Sequence, residues 1–398
     1  MKFALISHVL PGQSVVLYYL LKELDPNIYI LITNKTCTAY NKSREAKLLN
    51  AKCYKVRSGL WISFSERFNK GLLLPLGIGM GLFDAIMSPF NIVFRAFQIA
   101  FMLKKENCKS IVAFTADFAN LPAAYLACLI SRCRYYPYLL DYYSYQWTQP
   151  FISVLAHLIE PILLRNASGV IVPNEQLSED LKSRYGIEPL VIHNPFDVSA
   201  YDDVIKAPWP ADVEEVRIVY TGAIYQAHFD AFRNLVLALD QINLKKINLH
   251  IYSSRTQAQL ERDGIQGHVV YHDHVEHRKS IEEQRRADIL FLPLAFNSIY
   301  PNIIRTSSPG KMGEYLASGR PVLVHAPEDS FISKYFKKHN CGIVVDTNSI
   351  EQLSQAIMEI IGDENLRKNI CKNAKLCAKR DFSIGNVQPK FINLLTKD

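Results

Sequence analysis

The 398-residue chain lacks most features that would place it outside the ordinary globular class. Its eight cysteines form no Cys-x-x-Cys pair, and several lie inside apolar runs, as Cys128 does in AAYLACLI. That usage fits buried free thiols in a reducing compartment better than a disulfide framework or a zinc site. Glycine and proline are scattered singly, with no low-complexity tract and no repeat at a solenoid period. No Lys/Arg cluster is long enough to argue for nucleic acid. The formal charge of +7 reads either as a solubility margin or as a preference for anionic partners. No stretch reaches the roughly 18–20 uninterrupted apolar residues that cross a bilayer. The greasiest region, 71–103, is broken by Asp84, Pro89, Asn91 and Arg95. The opening MKFALISHVLPGQ has too short an apolar run for a signal peptide and reads as a first strand. The expectation is a cytoplasmic protein that does not span a membrane.

What is present is a regular alternation. Hydrophobic residues at 49% and charged residues at 21% are a globular balance, and the length favours two domains. Continuous apolar strands (FALISHV 3–9, IYILIT 28–33, SIVAFTA 110–116, YPYLLD 136–141, GVIVPN 169–174, LVIHNP 190–195) are separated by helical stretches. Residues 198–216 break the pattern with Pro208, Pro210 and several acids and read as a linker. The alternation restarts with RIVYTG 217–222, NLHIYS 248–253, HVVYHDHV 268–275, ADILFLPL 287–294, PVLVHA 321–326 and CGIVVD 341–346. Strands apolar on both faces belong to parallel sheets covered by helices, so the fold class is α/β with two Rossmann-like doubly wound domains. The domains are 1–197 and 198–380. Ligands of such sheets bind at the strands' carboxyl ends, which makes a cleft between the two domains the expected site. The closing segment 381–398 is either a tail or a helix returning to pack on the first domain. No G-x-G-x-x-G follows either first strand, which disfavours a dinucleotide oxidoreductase.

One segment carries chemistry. In Ser307–Pro321, SSPGKMGEYLASGRP, Ser-Pro signals a helix start and Gly319 before Pro321 a stop. A helix N-terminus rich in small residues suits a phosphate, and Lys311 adds a cation there. Glu314, three residues on, shares the helical face, where a carboxylate can accept both hydroxyls of a ribose. The plainer alternative is a Lys311–Glu314 ion pair with Tyr315 and Leu316 as core.

This segment resembles the donor-binding signature of retaining, group 1 (family 4-like) glycosyltransferases of the GT-B fold, roughly P-x-K-x-x-E-x-x-A-x-G-x-P-V. Pro309, Lys311, Glu314, Ala317, Gly319, Pro321 and Val322 match it. The resemblance extends, more weakly, to 170–197, to VYTGAIY 219–225, and to SHVLPGQSVVLYYLL at the N-terminus. It implies transfer of a sugar from a nucleotide-diphosphate sugar to a hydroxyl of a glycan or lipid-linked acceptor, in cell-surface polysaccharide or glycolipid assembly, with no metal or other cofactor. It further implies that Gly12 and Gly222 let backbone approach the donor, that Ser253 and Ser254 line the same face, and that His274 and Val275 meet the base. Lys311 would neutralise the diphosphate and Glu314 hold the ribose. Two departures stand out. Thr306 occupies the place of the family's second carboxylate, and no Arg or Lys follows Gly222, leaving Arg305 or His228 to substitute. No Asp-x-Asp, the metal signature of the other large glycosyltransferase fold, is seen.

On the acceptor side, Asp141 and Asp117 each end a strand and could orient or deprotonate a hydroxyl, Asp141 being preferred. The alternative for both is capping of the next helix. His272 and His274 share a strand face without a third ligand, which is thin ground for a metal. Tyr142, Tyr143, Tyr145 and Trp147 are either a stacking platform for an acceptor sugar or packing. Residues 71–101, rich in Phe and flanked by Lys70, Lys104 and Lys105, are either core helices or an amphipathic element lying on a membrane surface. Rival functions are a sugar-nucleotide epimerase of the same fold and a non-catalytic nucleotide-binding relative.

Overall fold

The computed structural model describes residues 2–7, 15–34, 49–57, 77–115, 117–201, 208–210, 215–242 and 246–396, with backbone alone at 15 and 77–87. The chain forms two compact units, Met1–His193 with Gln388–Asp398, and Asn194–Val387.

The first unit holds a seven-stranded sheet in the order β3-β2-β1-β4-β5-β6-β7, all pairs parallel. Its strands are β1 (Phe3–Ile6), β2 (Tyr29–Thr33), β3 (Lys52–Lys55), β4 (Ser110–Phe114), β5 (Arg134–Tyr138), β6 (Ile171–Val172) and β7 (Leu190–Val191). The helices are α1 (Val15–Leu21), α2 (Gly77–Lys105), α3 (Asn120–Ser131), α4 (Pro150–Arg165) and α5 (Glu175–Tyr185). Every residue of β1, β2 and β4 is buried, as strands covered on both faces require. The ends of α5 follow from its sequence: Asn174 accepts from Leu177 N at 2.9 Å, and Gly186 closes the helix at φ 67°.

The second unit holds a six-stranded parallel sheet ordered β10-β9-β8-β11-β12-β13. The strands are β8 (Val216–Thr221), β9 (Ile247–Ser253), β10 (Val269–Asp273), β11 (Ile289–Pro293), β12 (Val322–His325) and β13 (Ile343–Val345). Its helices are α6 (Phe229–Gln241), α7 (Gln257–Arg262), α8 (His277–Arg286), α9 (Pro301–Thr306), α10 (Lys311–Ala317), α11 (Phe331–His339), α12 (Ile350–Gly362) and α13 (Glu364–Cys377). Phe232 and Leu235 of α6 and Leu353 and Ile357 of α12 close over Ile218, Leu249 and Ile251 to make its core. The sheet diverges between β8 and β11, the switch point at which doubly wound sheets bind ligands.

The closing segment is a helix, α14 (Ile384–Thr396). Its later residues pack in the first unit, where Phe391 meets Phe3 edge-on at 6.0 Å and Leu395 O accepts from Arg134 at 3.0 Å. Among the described residues no helix is long and apolar enough to cross a membrane.

Phe196 and Phe382 are joined in the second unit by a backbone bond of 3.0 Å and together cover α10. Gly313 faces them: a Cβ there would lie 2.7 Å from the Phe196 ring and 3.1 Å from Phe382 Cβ. Alanine would gain about 1 kcal/mol of helix propensity, but the overpacking would cost about 1–3 kcal/mol. The ring contact decides, because Phe196 is itself buried. Gly313→Ala is therefore expected to lower stability on balance in urea unfolding.

Candidate functional site

At the switch point the chain leaves β8 through Gly222, whose φ of +127° only glycine adopts easily. A Cβ there would sit 3.1 Å from Lys311 Nζ. The missing side chain is the space that Lys311 uses. Lys311 Nζ donates to Tyr220 Oη at 2.8 Å and lies 4.4 Å from the Tyr220 ring centroid, a cation–π position. Tyr220 Oη in turn donates to Ala223 O at 2.6 Å. Dense packing around Nζ holds the Lys311 pKa below the usual lysine value, with Tyr315 and Glu314 opposing that shift. One turn on, Tyr315 Oη accepts from Thr221 N at 3.0 Å, so α10 is pinned to β8 at two successive turns.

Glu314 does not pair with Lys311. Its Oε2 accepts from Gln284 Nε2 at 3.2 Å, and its Oε1 lies 3.7 Å from His277 Nδ1. Gln284 is fully buried and also donates to Thr221 Oγ1 at 3.0 Å, while accepting from Tyr201 Oη at 2.5 Å. The sequence reading missed Gln284. Its signal was the three-residue spacing from buried Ile281, which places it on the inner face of α8. Of the plainer alternative for α10, the ion pair does not form, while Tyr315 and Leu316 are buried core: one short helix presents a cation and a carboxylate held by different partners.

The other expected donor residues fall along the same rim in strand order. Ser253 ends β9, buried, with Oγ accepting from Arg255 N at 3.3 Å, and Ser254 is exposed. The strand expected over 268–275 is shorter: β10 ends at Asp273, so exposed His274 and half-buried Val275 stand in the loop after it. Pro309 and Arg305 flank the entry to α10, Arg305 in the last turn of α9. Pro309 precedes the helix, Gly310 takes the N-cap place, and no side chain caps it. Gly12 lies outside the described residues.

One expectation about charge is corrected. His228 is buried and its pKa falls to about 3, first from burial and then from the Lys311 charge, so it is neutral and supplies no cation. Thr306 is buried with its hydroxyl turned back to Asn302 O at 3.0 Å. His272 stacks on Tyr252 at 4.2 Å and meets His250 at 3.0 Å, and the described residues contain no group of three metal-ligating side chains.

In the first unit the two aspartates part. Asp117 is saturated: it accepts from Arg95 at 2.8 Å, Asn34 at 3.2 Å and, in the turn before α3, Ala119 N at 2.8 Å, without capping the helix itself. Asp141, three residues past β5, accepts no hydrogen bond from any described residue, and burial pushes its carboxyl up to about 7. Tyr142 and Tyr143 are core, bonded to Asp180 at 2.5 Å and Phe118 O at 2.7 Å. Of that aromatic loop, Trp147 lines a pocket of about 400 Å³ with Arg95 and Asp117.

Residues 215–363 match the family model described as Glycosyl transferases group 1. No curated protein matches the sequence. Among solved structures, a glycosyltransferase from Rickettsia africae shares 15% identity at TM-score 0.69, covering 100% of this chain and 99% of that one. HepE from Anabaena, in complex with UDP and glucose, shares 15% at TM-score 0.67 with the same coverage. The lipopolysaccharide outer core galactosyltransferase WaaB shares 13% at TM-score 0.65, covering 99% of each chain. The fold is that of these enzymes, GT-B, and the group 1 resemblance drawn from Ser307–Pro321 is borne out over residues 215–363.

Since the folded pKa of His228 lies below its unfolded value, neutral His228 favours the folded state above pH about 6.5, and that preference is lost as pH falls toward about 3. Imidazole NMR should show His228 neutral at pH 5.

Proposed function

We propose that the chain is a glycosyltransferase that moves a sugar from a nucleoside-diphosphate sugar to a hydroxyl of a glycan or lipid-linked acceptor, with retention and without a metal. The observation that carries the reading is the placement of Lys311 against Gly222 with Glu314 held apart by Gln284. A donor diphosphate beside Nζ gives the crowded ammonium the counter-charge that Tyr220 and the backbone cannot. Glu314, anchored on one oxygen by Gln284, keeps acceptor capacity for the ribose hydroxyls. HepE's complex with UDP and glucose supports UDP as the first base to try.

The glycosidic bond to phosphate breaks as positive charge grows on the sugar and negative charge on the leaving diphosphate. Lys311 stabilises that leaving group, together with the backbone of Gly222 and Gly310. A fixed donor at such a site is worth about 10²–10³ in kcat. Asp141 orients the acceptor hydroxyl and takes its proton, for which a pKa near the working pH is suited. Ser253, Ser254, His274, Val275, Arg305 and Pro309 line the donor, and Gly12 is assigned there by resemblance. Cell-surface polysaccharide or glycolipid assembly at the cytoplasmic face of the membrane is the setting proposed. Thr306, turned to Asn302 O, and neutral His228 supply no charge to the donor sugar.

Lys311→Ala should reduce sugar release from UDP-sugars by about 10²–10³-fold while keeping the wild-type circular dichroism. Epimerised nucleotide sugar as the product, or no turnover at saturating donor, would replace the proposal with one of its rivals. Transfer should rise with pH through about 7 as Asp141 ionises, and Asp141→Asn should remove that limb. The folded pKa of Asp141 is raised, so wild-type stability relative to Asp141→Asn should fall as pH rises through about 7.

A further inference from the structure

The helices on one side of the first sheet carry an apolar face that the site above does not use. On α2, Phe90, Phe94, Phe97 and Phe101 recur at intervals of four, three and four, so they form one stripe. All four are exposed, Phe90 and Phe101 at 68% each. On α4, Phe151, Val154, Leu158 and Ile162 form a second exposed stripe, and α3 adds Leu129 and Ile130. The three helices pack on one another, so the stripes share a side of the sheet. Helices joining successive parallel strands run alongside each other, which brings their C-terminal ends to one edge. Each ends there in exposed cations: Lys104 and Lys105 one turn beyond Phe101, Arg132 after Ile130, Arg165 one turn beyond Ile162.

Among the described residues no acid is left to answer them: Glu106, just after α2, is largely covered and accepts from Lys2 at 2.6 Å and Tyr54 at 2.5 Å. From Ser88 to the end of α2, and throughout α3, there is no Asp or Glu. The one on α4, Glu160, is buried and accepts from Ser144 at 2.8 Å and Tyr185 at 2.5 Å. A twofold dimer through this face would set the basic rim against a copy of itself, whose described residues likewise offer no acid left to pair. Scattered exposed apolar residues need no explanation, but a contiguous stripe of large ones with a rim of one sign does. We propose that α2, α3 and α4 seat the protein on an anionic lipid bilayer, with the stripes entering the head-group region and the cations meeting lipid phosphates. The pocket lined by Asn91 and Arg95 of α2 and Gln149 and Ile152 at the start of α4 adjoins the same helices, near Phe90 and Phe151. A membrane-anchored glycan lying under this face would reach that pocket.

The inference rests on no step of the proposed transfer. Full-length protein is floated with phosphatidylcholine vesicles, with and without phosphatidylglycerol, at low and high salt. Binding should require phosphatidylglycerol and weaken with salt. Phe97→Ser with Leu158→Ser should lower partitioning about tenfold or more at an unchanged melting temperature, because both side chains are exposed. Lys104→Glu with Lys105→Glu should abolish the preference for the anionic lipid. Sugar release from UDP-sugar in solution should be unchanged in both variants. The proposal is overturned if wild-type protein does not float with phosphatidylglycerol vesicles, if the serine variant floats as well as wild type, or if light scattering shows a dimer that the serine substitutions dissolve.

Discussion

The second unit is arranged around one constraint: a lysine ammonium must be kept charged in a crowded place. Tyr220 supplies both a hydroxyl and a ring face to Lys311, and Gly222 supplies room by having no side chain. Neither neutralises the charge. Moving a cation out of water without a full counter-charge is unfavourable, which is why the Lys311 pKa is depressed. The surrounding structure, Tyr315 on Thr221 N and Gly313 under Phe196 and Phe382, fixes the helix that carries the ammonium. An anion at that position is what the arrangement is short of. The diphosphate proposed above would meet the shortage, and the same charge pattern would favour its departure.

Much of this was legible in the sequence. Strands buried on both faces announce themselves as continuous apolar runs, and β8, β9, β11 and β12 fall where such runs lie. The spacing of Lys311 and Glu314 was readable because three residues on a helix fix a shared face. What could not be read was which partner each would take. Gln284 reaches Glu314 across 30 positions, and only the packing of α8 on β8 brings them together. His228 looked like a cation and is neutral, because burial, which no local pattern reports, decides its charge.

The first unit teaches the same lesson with two residues of one type. Asp117 and Asp141 both follow strands at one edge of the sheet. Arg95, Asn34 and the Ala119 amide take up the first, leaving it a structural role. The second is left without such donors, and burial raises its pKa toward neutrality. The aromatic run after Asp141 divides similarly: hydroxyl partners and burial make Tyr142 and Tyr143 core, whereas Trp147 reaches a pocket. The long apolar region that precedes β4 is a helix whose exposed stripe, rather than its total hydrophobicity, sets it apart.

The central claim is that Lys311 recognises the diphosphate and not the nucleoside. Titration calorimetry of wild type and Lys311→Met with UDP, UMP and uridine tests it most directly. The account predicts a large loss of affinity for UDP on substitution, a smaller one for UMP, and none for uridine. An equal loss for all three ligands, or no loss for UDP, would contradict it.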